Sequence, residues 1–253
     1  MSLFAGFNPV QVIERIDWTP EQFSLRVSGA ELPFSAGQFT KLGLEDDAGN
    51  LVSRAYSLVN APGATADEHE FLIVAHPQGK LSPRLQSLSA GDTVWMGNSA
   101  YGDLIQPSIP DFTQDLWLLA TGTGIGPFLS LLADHQRLTQ PNIVLVHGVR
   151  YGRDRVYRDD IQTLVEQYQG RLRYHTVVSR EALSDAMSGR IPALIESGEL
   201  QTVSELELAP EHSFVMMCGN PDMIKDTAST LRDKGLPPFR QATGGNYIHE
   251  RYW

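Results

Sequence analysis

The sequence predicts a two-domain protein in which an antiparallel β-barrel precedes an α/β domain built on a parallel sheet. The chain has 253 residues, which is more than a single hydrophobic core usually accommodates. Its first part breaks into short β-like runs, whereas its second part alternates strands with helices. We therefore place the first domain at residues 1–106 and the second at 112–253.

The N-terminal domain is predicted from six short β-like runs, most of them separated by Gly, Pro, Asn or Asp. Short strands at regular spacing, with turn residues between them, are typical of an antiparallel barrel or sandwich. Six strands are a natural number for a small barrel, so we predict a barrel. The runs cover residues 10–18, 23–27, 38–44, 54–59, 70–76 and 93–96.

A different pattern begins after residues 106–111, where two prolines argue against regular structure and indicate a linker. Helical stretches such as 158–168 and 222–234 then separate short apolar runs. Gly235 stands where the last helix should end, as expected of a C-cap glycine. This alternation predicts a parallel sheet covered on both faces. The apolar runs cover residues 116–120, 143–147, 174–178 and 214–217.

Composition excludes several classes of function. With 30 acidic and 20 basic residues the formal charge is -10, so we expect no nucleic-acid binding, which depends on neutralising phosphates. The single cysteine, Cys218, cannot form an internal disulfide or supply the thiolates of an iron-sulfur or structural zinc site. We expect no metal site and a cytoplasmic location. No signal or membrane segment is visible, because the apolar runs are too short to span a bilayer.

A glycine-rich segment follows the first strand of the second domain. Gly122, Gly124 and Gly126 alternate there, and Pro127 then opens a helix predicted to be amphipathic. Glycines allow a sharp turn and close approach to a ligand, Pro127 suits the first helical position, and the free N–H groups of a helix end attract phosphate. The spacing differs from G-x-G-x-x-G, so a purely structural turn remains an alternative.

Three arginines follow the next strands. In a dinucleotide fold, an acid at the end of the second strand binds the NAD ribose, whereas cations there bind the 2'-phosphate of NADP. Here the second strand ends at Arg150, the third ends in Ser179-Arg180, and Arg190 follows shortly after. This set predicts an NADP site at the carboxyl edge of the sheet. The alternative is a set of three solvated arginines.

Two segments of the barrel domain offer ligands for a flavin. Arg54-Ala-Tyr-Ser57 provides a cation, an aromatic face and a hydroxyl on one strand. Gly79-Lys-Leu-Ser-Pro-Arg84 indicates a turn with Ser82 as N-cap and Pro83 at the first helical position, which suits a pyrophosphate. Either segment alone could be an ordinary strand or helix start.

These motifs occur together in a known family. In this order the chain carries Arg54-Ala-Tyr-Ser57, Gly79-Lys-Leu-Ser-Pro-Arg84, Ala120-Thr-Gly-Thr-Gly-Ile-Gly-Pro127, Cys218-Gly-Asn-Pro221 and Tyr252-Trp253. The sequence thereby resembles ferredoxin (flavodoxin)-NADP+ reductases of the enterobacterial type over nearly its whole length. The resemblance implies an FAD-binding barrel and an NADP(H)-binding α/β domain whose C-terminal tail returns to the flavin.

The resemblance also implies roles for individual residues. Arg54 would hold the FAD pyrophosphate, Tyr56 and Tyr252 would cover the two isoalloxazine faces, and Ser57 would hydrogen-bond near N5. Cys218 would lie beside the arriving nicotinamide, although a small buried hydrophobic residue is the alternative. Glu250 would be the acid near the flavin. The other implied FAD contacts are Ala55, Lys80, Leu81, Ser82, Thr123 and, near the adenine, Trp253.

The implied activity is hydride exchange with NADP(H) and one-electron exchange with ferredoxin or flavodoxin, catalysed by a monomer. Unlike many such reductases, the chain has no strongly basic stretch shortly before its C-terminus. A basic patch for an acidic carrier would have to come from scattered cations. The alternatives are an NADPH-dependent reductase of free flavins or quinones and a non-catalytic FAD-binding redox subunit. The candidate cations are Arg54, Lys80, Arg84, Arg240 and Arg251.

Overall fold

The computed structural model describes residues 3–63, 65, 67–134 and 137–252, and Trp253 lies outside this range. Two six-stranded sheets form in chain order, one in each half of the protein. Among the described residues, all strand pairs of the first sheet are antiparallel and all strand pairs of the second are parallel, which confirms the predicted fold class.

The N-terminal sheet contains the six predicted strands in the spatial order β4-β3-β6-β1-β2-β5. Its edge strands meet where Leu58 bridges Phe71 and where the Val59 N–H donates to the Glu70 carbonyl at 2.9 Å. A core lies inside, because alternate residues such as Val10 and Val12 point inward and are almost fully buried. The strands are β1 (Phe7–Asp17), β2 (Gln22–Ser28), β3 (Phe39–Glu45), β4 (Leu51–Ser57), β5 (Glu68–Val74) and β6 (Thr93–Gly97).

The short helix α1 (Ser82–Gln86) precedes β6 and corrects one prediction. Its N-cap is Leu81, which makes no side-chain capping bond, so the assignment of Ser82 as N-cap was wrong. The Ser82 hydroxyl instead accepts the His76 N–H at 3.1 Å and closes the preceding turn. A serine hydroxyl at a helix start can accept an N–H from the helix or an N–H from the turn that precedes it. Here it accepts the N–H of His76, in the preceding turn.

The C-terminal sheet has the order β10-β9-β8-β7-β11-β12. Four of its strands match the predicted apolar runs, and two were not predicted. The edge strand β10 is only two residues long, and the edge strand β12 exposes His249 and Arg251 at alternate positions. The strands are β7 (Asp115–Thr121), β8 (Asn142–Val149), β9 (Leu172–Val178), β10 (Met187–Ser188), β11 (Ser213–Gly219) and β12 (Tyr247–Arg251).

Helices cover the parallel sheet, and within the described residues none is long and apolar enough to cross a membrane. The predicted helices at 158–168 and 222–234 are confirmed as α3 and α6, and Gly235 adopts φ +83° after α6. Residues 106–111 are not wholly irregular, because Gln106–Ser108 forms a 3₁₀ helix. The helices are α2 (Gly126–Ala133), α3 (Arg158–Gln167), α4 (Ile191–Ser197), α5 (Glu199–Ser204) and α6 (Pro221–Asp233).

Helix α2 joins the two halves of the molecule. It was predicted to be amphipathic, but every residue from Gly126 to Leu132 is buried. The reason is that α2 packs in a core shared by both halves, with Val59 and Leu104 from the first and Ile143 from the second. A helix enclosed in this way needs no polar face.

A buried polar cluster also links the halves. The Tyr157 hydroxyl donates to Glu70 Oε1 and lies in hydrogen-bond contact with Ser24 Oγ. Trp18 Nε1 donates to the same Ser24 hydroxyl at 2.9 Å. Tyr157 holds the left-handed conformation, φ 59°, just before α3, a costly choice for a bulky residue unless its contacts compensate.

Candidate functional site

The glycine-rich loop lies at the junction of the two halves. At Gly124 a Cβ would lie 2.4 Å from the Cys218 carbonyl oxygen, and at Gly126 it would lie 3.8 Å from the Ser57 Cβ. Gly122 adopts φ +54° and has open space where its Cβ would be. The loop thus approaches β11 and the barrel so closely that only glycine fits at Gly124, while Gly122 faces space that a ligand phosphate can enter.

His147 contacts this loop from strand β8, and it was not selected from the sequence as a site residue. Its side chain is fully buried on β8, and Nε2 lies 3.0 Å from the Gly122 carbonyl oxygen. Burial lowers the pKa of His147 to about 4, so the ring is neutral at pH 7 and its Nε2–H donates to that carbonyl. The signal in the sequence was a lone imidazole in the otherwise apolar run 143–149.

A cleft of about 580 Å³ opens beyond the loop. It lies at the carboxyl ends of β7, β8 and β9, where ligands bind in open α/β sheets. Part of its wall is contributed by barrel residues, including Thr19 and His76. The predicted nucleotide-site residues in its lining are Gly122, Arg150, Ser179, Arg180 and Arg190, and Thr123, predicted to contact FAD, also lines it.

The three predicted arginines are exposed in this cleft. Within the described part of the chain, Arg150, Arg180 and Arg190 form no ion pair at 4 Å or less. Ser179 is tied to the sheet, because its hydroxyl donates to the Val149 carbonyl at 3.2 Å. Cations without a protein counter-ion suit an anionic ligand.

Two further residues of the cleft were not selected from the sequence. The guanidinium carbon of Arg153 lies 5.1 Å from the centre of the Tyr151 ring, and that of Arg180 lies 5.9 Å from the same ring. Both distances fit cation–π contacts. Arg153 lies in the short 3₁₀ helix Gly152–Asp154 after β8, where no motif pointed to it.

Ser57, Cys218 and Tyr252 come together where the two halves meet. The Tyr252 hydroxyl donates to Ser57 Oγ and also hydrogen-bonds the Cys218 thiol. The Tyr252 N–H donates to the Gly219 carbonyl at 3.0 Å, which holds the tail against β11. Cys218 is fully buried, and burial raises the pKa of its thiol, so it is neutral. Glu250 raises this pKa further.

Glu250 is brought to this cluster by the unpredicted strand β12, which pairs Glu250 with Cys218. Its Oε1 accepts the Asp103 N–H at 2.9 Å, whereas Oε2 is buried with no hydrogen-bond partner among the described residues. Burial raises the pKa of Glu250 to about 7 and the nearby Asp103 carboxylate adds to this, against hydrogen bonds from the backbone. Both protonation states are therefore populated at neutral pH.

The barrel contributes the remaining predicted residues. Arg54, Ala55 and Lys80 are exposed, and Tyr56 is half-buried against the barrel core. Burial raises the pKa of Tyr56 to about 12. Leu81 points into that core, 2% exposed, so only its backbone can face a ligand.

These residues fit the two cofactors that the sequence implied. Arg54 and Lys80 form no ion pair within residues 3–63, 65, 67–134 and 137–252. These two cations are therefore available to a pyrophosphate. The Ser57 hydroxyl faces the junction next to the glycine-rich loop. With the arginine-lined cleft, this arrangement defines a flavin-dependent pyridine-nucleotide oxidoreductase as the class of protein.

Comparisons with known proteins agree with this class. Residues 9–101 match the family model of the oxidoreductase FAD-binding domain, and residues 118–229 match that of the oxidoreductase NAD-binding domain. The chain is 50% identical over 212 residues to the flavodoxin/ferredoxin–NADP reductase of Shigella flexneri, covering 83% of this chain and 84% of that protein.

Two further relatives span almost the entire chain. The flavodoxin/ferredoxin–NADP reductase of Buchnera aphidicola subsp. Baizongia pistaciae is 38% identical, with 96% of this chain and 97% of that protein covered. The crystal structure of a ferredoxin NADP+ reductase from Neisseria gonorrhoeae with bound FAD and NADP superposes with a TM-score of 0.90 at 32% identity, covering 99% and 100% of the two chains. The chain belongs to the flavodoxin/ferredoxin–NADP reductase family.

Proposed function

We propose that the protein is an FAD-containing oxidoreductase that exchanges a hydride with NADP(H) and single electrons with ferredoxin or flavodoxin. The observation that carries this proposal is the meeting of Ser57, Cys218 and Tyr252 at the junction of the two halves. Hydride transfer needs two rings in contact, and a ring bound by the barrel would meet a nucleotide in the cleft at this junction. Membership of the family supports the same activity.

FAD, when bound, supplies the hydride and one-electron chemistry, and the protein supplies alignment. Arg54 and Lys80 would bind its phosphates, with the α1 turn around Ser82 beside them. Tyr56 would pack against the flavin ring, and the Ser57 hydroxyl would orient it near N5. Ala55 and Leu81 would contribute backbone, and Thr123 would contact the flavin from the second half of the chain.

The arginine-lined cleft binds the nucleotide. Arg180 and Arg190 meet the 2'-phosphate, while Arg150 and Ser179 complete the polar lining. Gly122, Gly124 and Gly126 let the pyrophosphate approach the N–H groups of the loop, which His147 holds in place. The nucleotide then points its reactive ring toward Cys218.

Tyr252 controls access to the reacting face. Its hydroxyl contacts Ser57 and Cys218, the two residues that would flank the nicotinamide. The phenol ring must therefore move before the nicotinamide can approach. Glu250, whose pKa is about 7, holds or releases a proton at Oε2 beside this cluster.

The cellular setting completes the proposal. We propose a monomer of the cytoplasm whose cations attract acidic carriers to the flavin edge of an otherwise acidic molecule. The domain boundaries at 106 and 112 follow the change from the antiparallel to the parallel sheet. The cations proposed for docking are Arg54, Lys80, Arg84, Arg240 and Arg251.

The decisive experiment is stopped-flow reduction of the purified protein by NADPH or NADH, followed by mixing with ferredoxin or flavodoxin. We expect bleaching of FAD absorbance that is much faster with NADPH, then reduction of at least one carrier. Reduction of free flavins or quinones without transfer to either carrier would contradict the proposal and favour a free-flavin or quinone reductase. Failure to react with NADPH would favour a non-catalytic subunit.

A further inference from the structure

The Tyr151 ring holds two arginine side chains next to the nucleotide cleft. Arg153 lies 5.1 Å and Arg180 lies 5.9 Å from the ring centre, measured from the guanidinium carbon. Both side chains also line the cleft itself. Arg153 is 66% exposed, so its guanidinium is available to a ligand that enters from solvent.

The charge of Arg153 is not neutralised by a short ion pair. Its only ion pair within the described residues joins Nε to Asp154 Oδ1 at a long 3.9 Å. The other oxygen of Asp154 accepts the Tyr151 N–H at 3.1 Å, so this carboxylate is already engaged with the backbone. The neighbouring Glu181 carboxylate likewise accepts a backbone hydrogen bond, from the Gly152 N–H.

Two cations that share one aromatic ring repel each other in the free protein. Each is attracted by the ring, but neither attraction removes the repulsion between the guanidiniums. A dianion bound by both guanidiniums offsets this repulsion, and a phosphate monoester carries about -1.5 to -2 charges at pH 7. The 2'-phosphate of NADP(H) is such a group, and NAD(H) lacks it.

We propose that Arg153 is a specificity-determining residue that binds the 2'-phosphate of NADP(H) together with Arg180, the other arginine that lines the cleft and contacts the Tyr151 ring. The inference rests on the proposed function, because it assigns a further cation to the same nucleotide site. Arg153 then adds to the preference for NADP(H) over NAD(H) without contacting the flavin.

The test uses the FAD-loaded protein and two soluble probes, 2',5'-ADP and 5'-ADP, titrated by calorimetry. We expect Arg153→Ala to weaken 2',5'-ADP by about three- to tenfold and to leave 5'-ADP unchanged, as for one partly exposed charged contact. The matched control is Arg137→Ala, whose side chain is 72% exposed and ion-paired to Asp134 at 3.2 Å outside the cleft. It should leave both probes unchanged.

The role of the ring is tested with Tyr151→Leu and Tyr151→Phe. The leucine should weaken 2',5'-ADP about as much as Arg153→Ala does, and the phenylalanine should not, because it keeps the aromatic face. The double variant Arg153→Ala/Tyr151→Leu should lose less than the sum of the two single losses. Additive losses would overturn the part assigned to Tyr151.

Arg180→Ala distinguishes failure of this inference from failure of the proposed function. If Arg180→Ala weakens 2',5'-ADP while Arg153→Ala behaves like Arg137→Ala, the role of Arg153 is overturned and the proposed function stands. Equal weakening of both probes by Arg153→Ala would also overturn it, since the residue would then act on the shared part of the nucleotide. If neither arginine matters, the nucleotide site of the proposed function fails as well.

Discussion

At the scale of single residues, the Ser57 hydroxyl stands at the position where barrel, loop and tail meet. It accepts a hydrogen bond from Tyr252, and its residue lies next to Gly126 of the glycine-rich loop. A group placed in this way contributes to alignment of the reacting rings more than to the affinity of a cofactor held through its phosphates.

We therefore expect Ser57→Ala to retain FAD and to slow hydride transfer by about ten- to a thousandfold, because alignment matters more in the transition state than in binding. Flavin content is measured by absorbance and the hydride step by single-turnover stopped flow. Ser53→Ala, on the same strand, is the control. Purification as apoprotein, or an unchanged rate, would contradict the role assigned to Ser57.

The exposed arginines of the cleft lead to a second prediction. Arg180→Ala, and to a smaller extent Arg190→Ala, should weaken NADPH by about ten- to a hundredfold and leave NADH almost unchanged, because each cation meets only the 2'-phosphate. Steady-state kcat/KM with both nucleotides checks this. A loss of equal size with NADH would show that these arginines are structural.

Glu250 gives a prediction on pH. Its pKa is raised from 4.5 to about 7 in the folded protein, so the folded state binds more protons than the unfolded state between these values. The contribution of Glu250 to the free energy of unfolding is therefore fully present below about pH 4.5, and it is lost as the pH rises through about 7.

We expect Glu250→Gln, relative to the native protein, to gain about 1 to 3 kcal/mol of unfolding free energy between pH 4.5 and pH 8. Urea unfolding at both pH values measures this change. A difference between variant and native protein that stays constant with pH would show that Glu250 is not neutralised by burial.

At the scale of elements, the sequence predicted those whose signal lies in their own residues. The apolar runs gave four parallel strands, and Gly122 to Pro127 gave the loop and the helix that follows it. Strand β12 was missed because Tyr247–Arg251 is polar and pairs with β11 alone, so tertiary contact decides its conformation. Glu250 and Tyr252 were found only through the family resemblance.

Arg153 shows the same limit within the site. Nothing in its local sequence distinguishes it from a solvated arginine, and its significance comes from Tyr151 and Arg180, of which Arg180 is 27 positions away in the sequence. His147 was missed because a single imidazole in an apolar strand has no partner visible in sequence. Contacts of this kind depend on how β8 and β9 are placed side by side.

The start of α3 provides a test at this scale. Tyr157→Phe removes the hydroxyl that contacts Ser24 and Glu70, and leaves the buried Ser24 hydroxyl and the half-buried Glu70 carboxylate less satisfied. We expect a loss of about 1 to 3 kcal/mol in unfolding free energy, measured by denaturant titration. Tyr101→Phe, at a residue that is 54% exposed, should change stability by less than about 0.5 kcal/mol. Equal effects of the two variants would contradict an interdomain role for Tyr157.

At the scale of the whole molecule, the two halves are joined so that the C-terminal tail reaches the barrel. The core around α2 fixes the halves together, and the Tyr252 hydroxyl then contacts Ser57, 195 positions earlier in the chain. Under the proposed function, the tail thereby occupies the junction that the nicotinamide would enter. Its displacement is part of every turnover under the proposed function.

Removing Tyr252 and Trp253 should therefore change nucleotide preference. An aromatic stack is worth about 0.5 to 1.5 kcal/mol beyond its buried area, and both nucleotides meet this cost when they displace the ring. NADPH is anchored by its 2'-phosphate and therefore stays bound while the ring is displaced. Its kcat/KM consequently depends less on ring displacement than the kcat/KM of NADH does. We expect the truncated enzyme to gain NADH activity proportionally more than NADPH activity and to show long-wavelength charge-transfer absorbance with NADP+.

The matched variant for this prediction is Tyr252→Phe, which keeps the ring and loses only the hydroxyl that donates to Ser57. It should keep most of the preference for NADPH, because the ring and not the hydrogen bond excludes the nicotinamide. If the terminus has no role, neither variant should change the nucleotide preference, since the last residues of many domains are poorly ordered. Titration of the oxidised proteins with NADP+ and the ratio of kcat/KM for the two nucleotides decide between these outcomes, and an unaltered ratio after truncation would contradict the gating role of Tyr252.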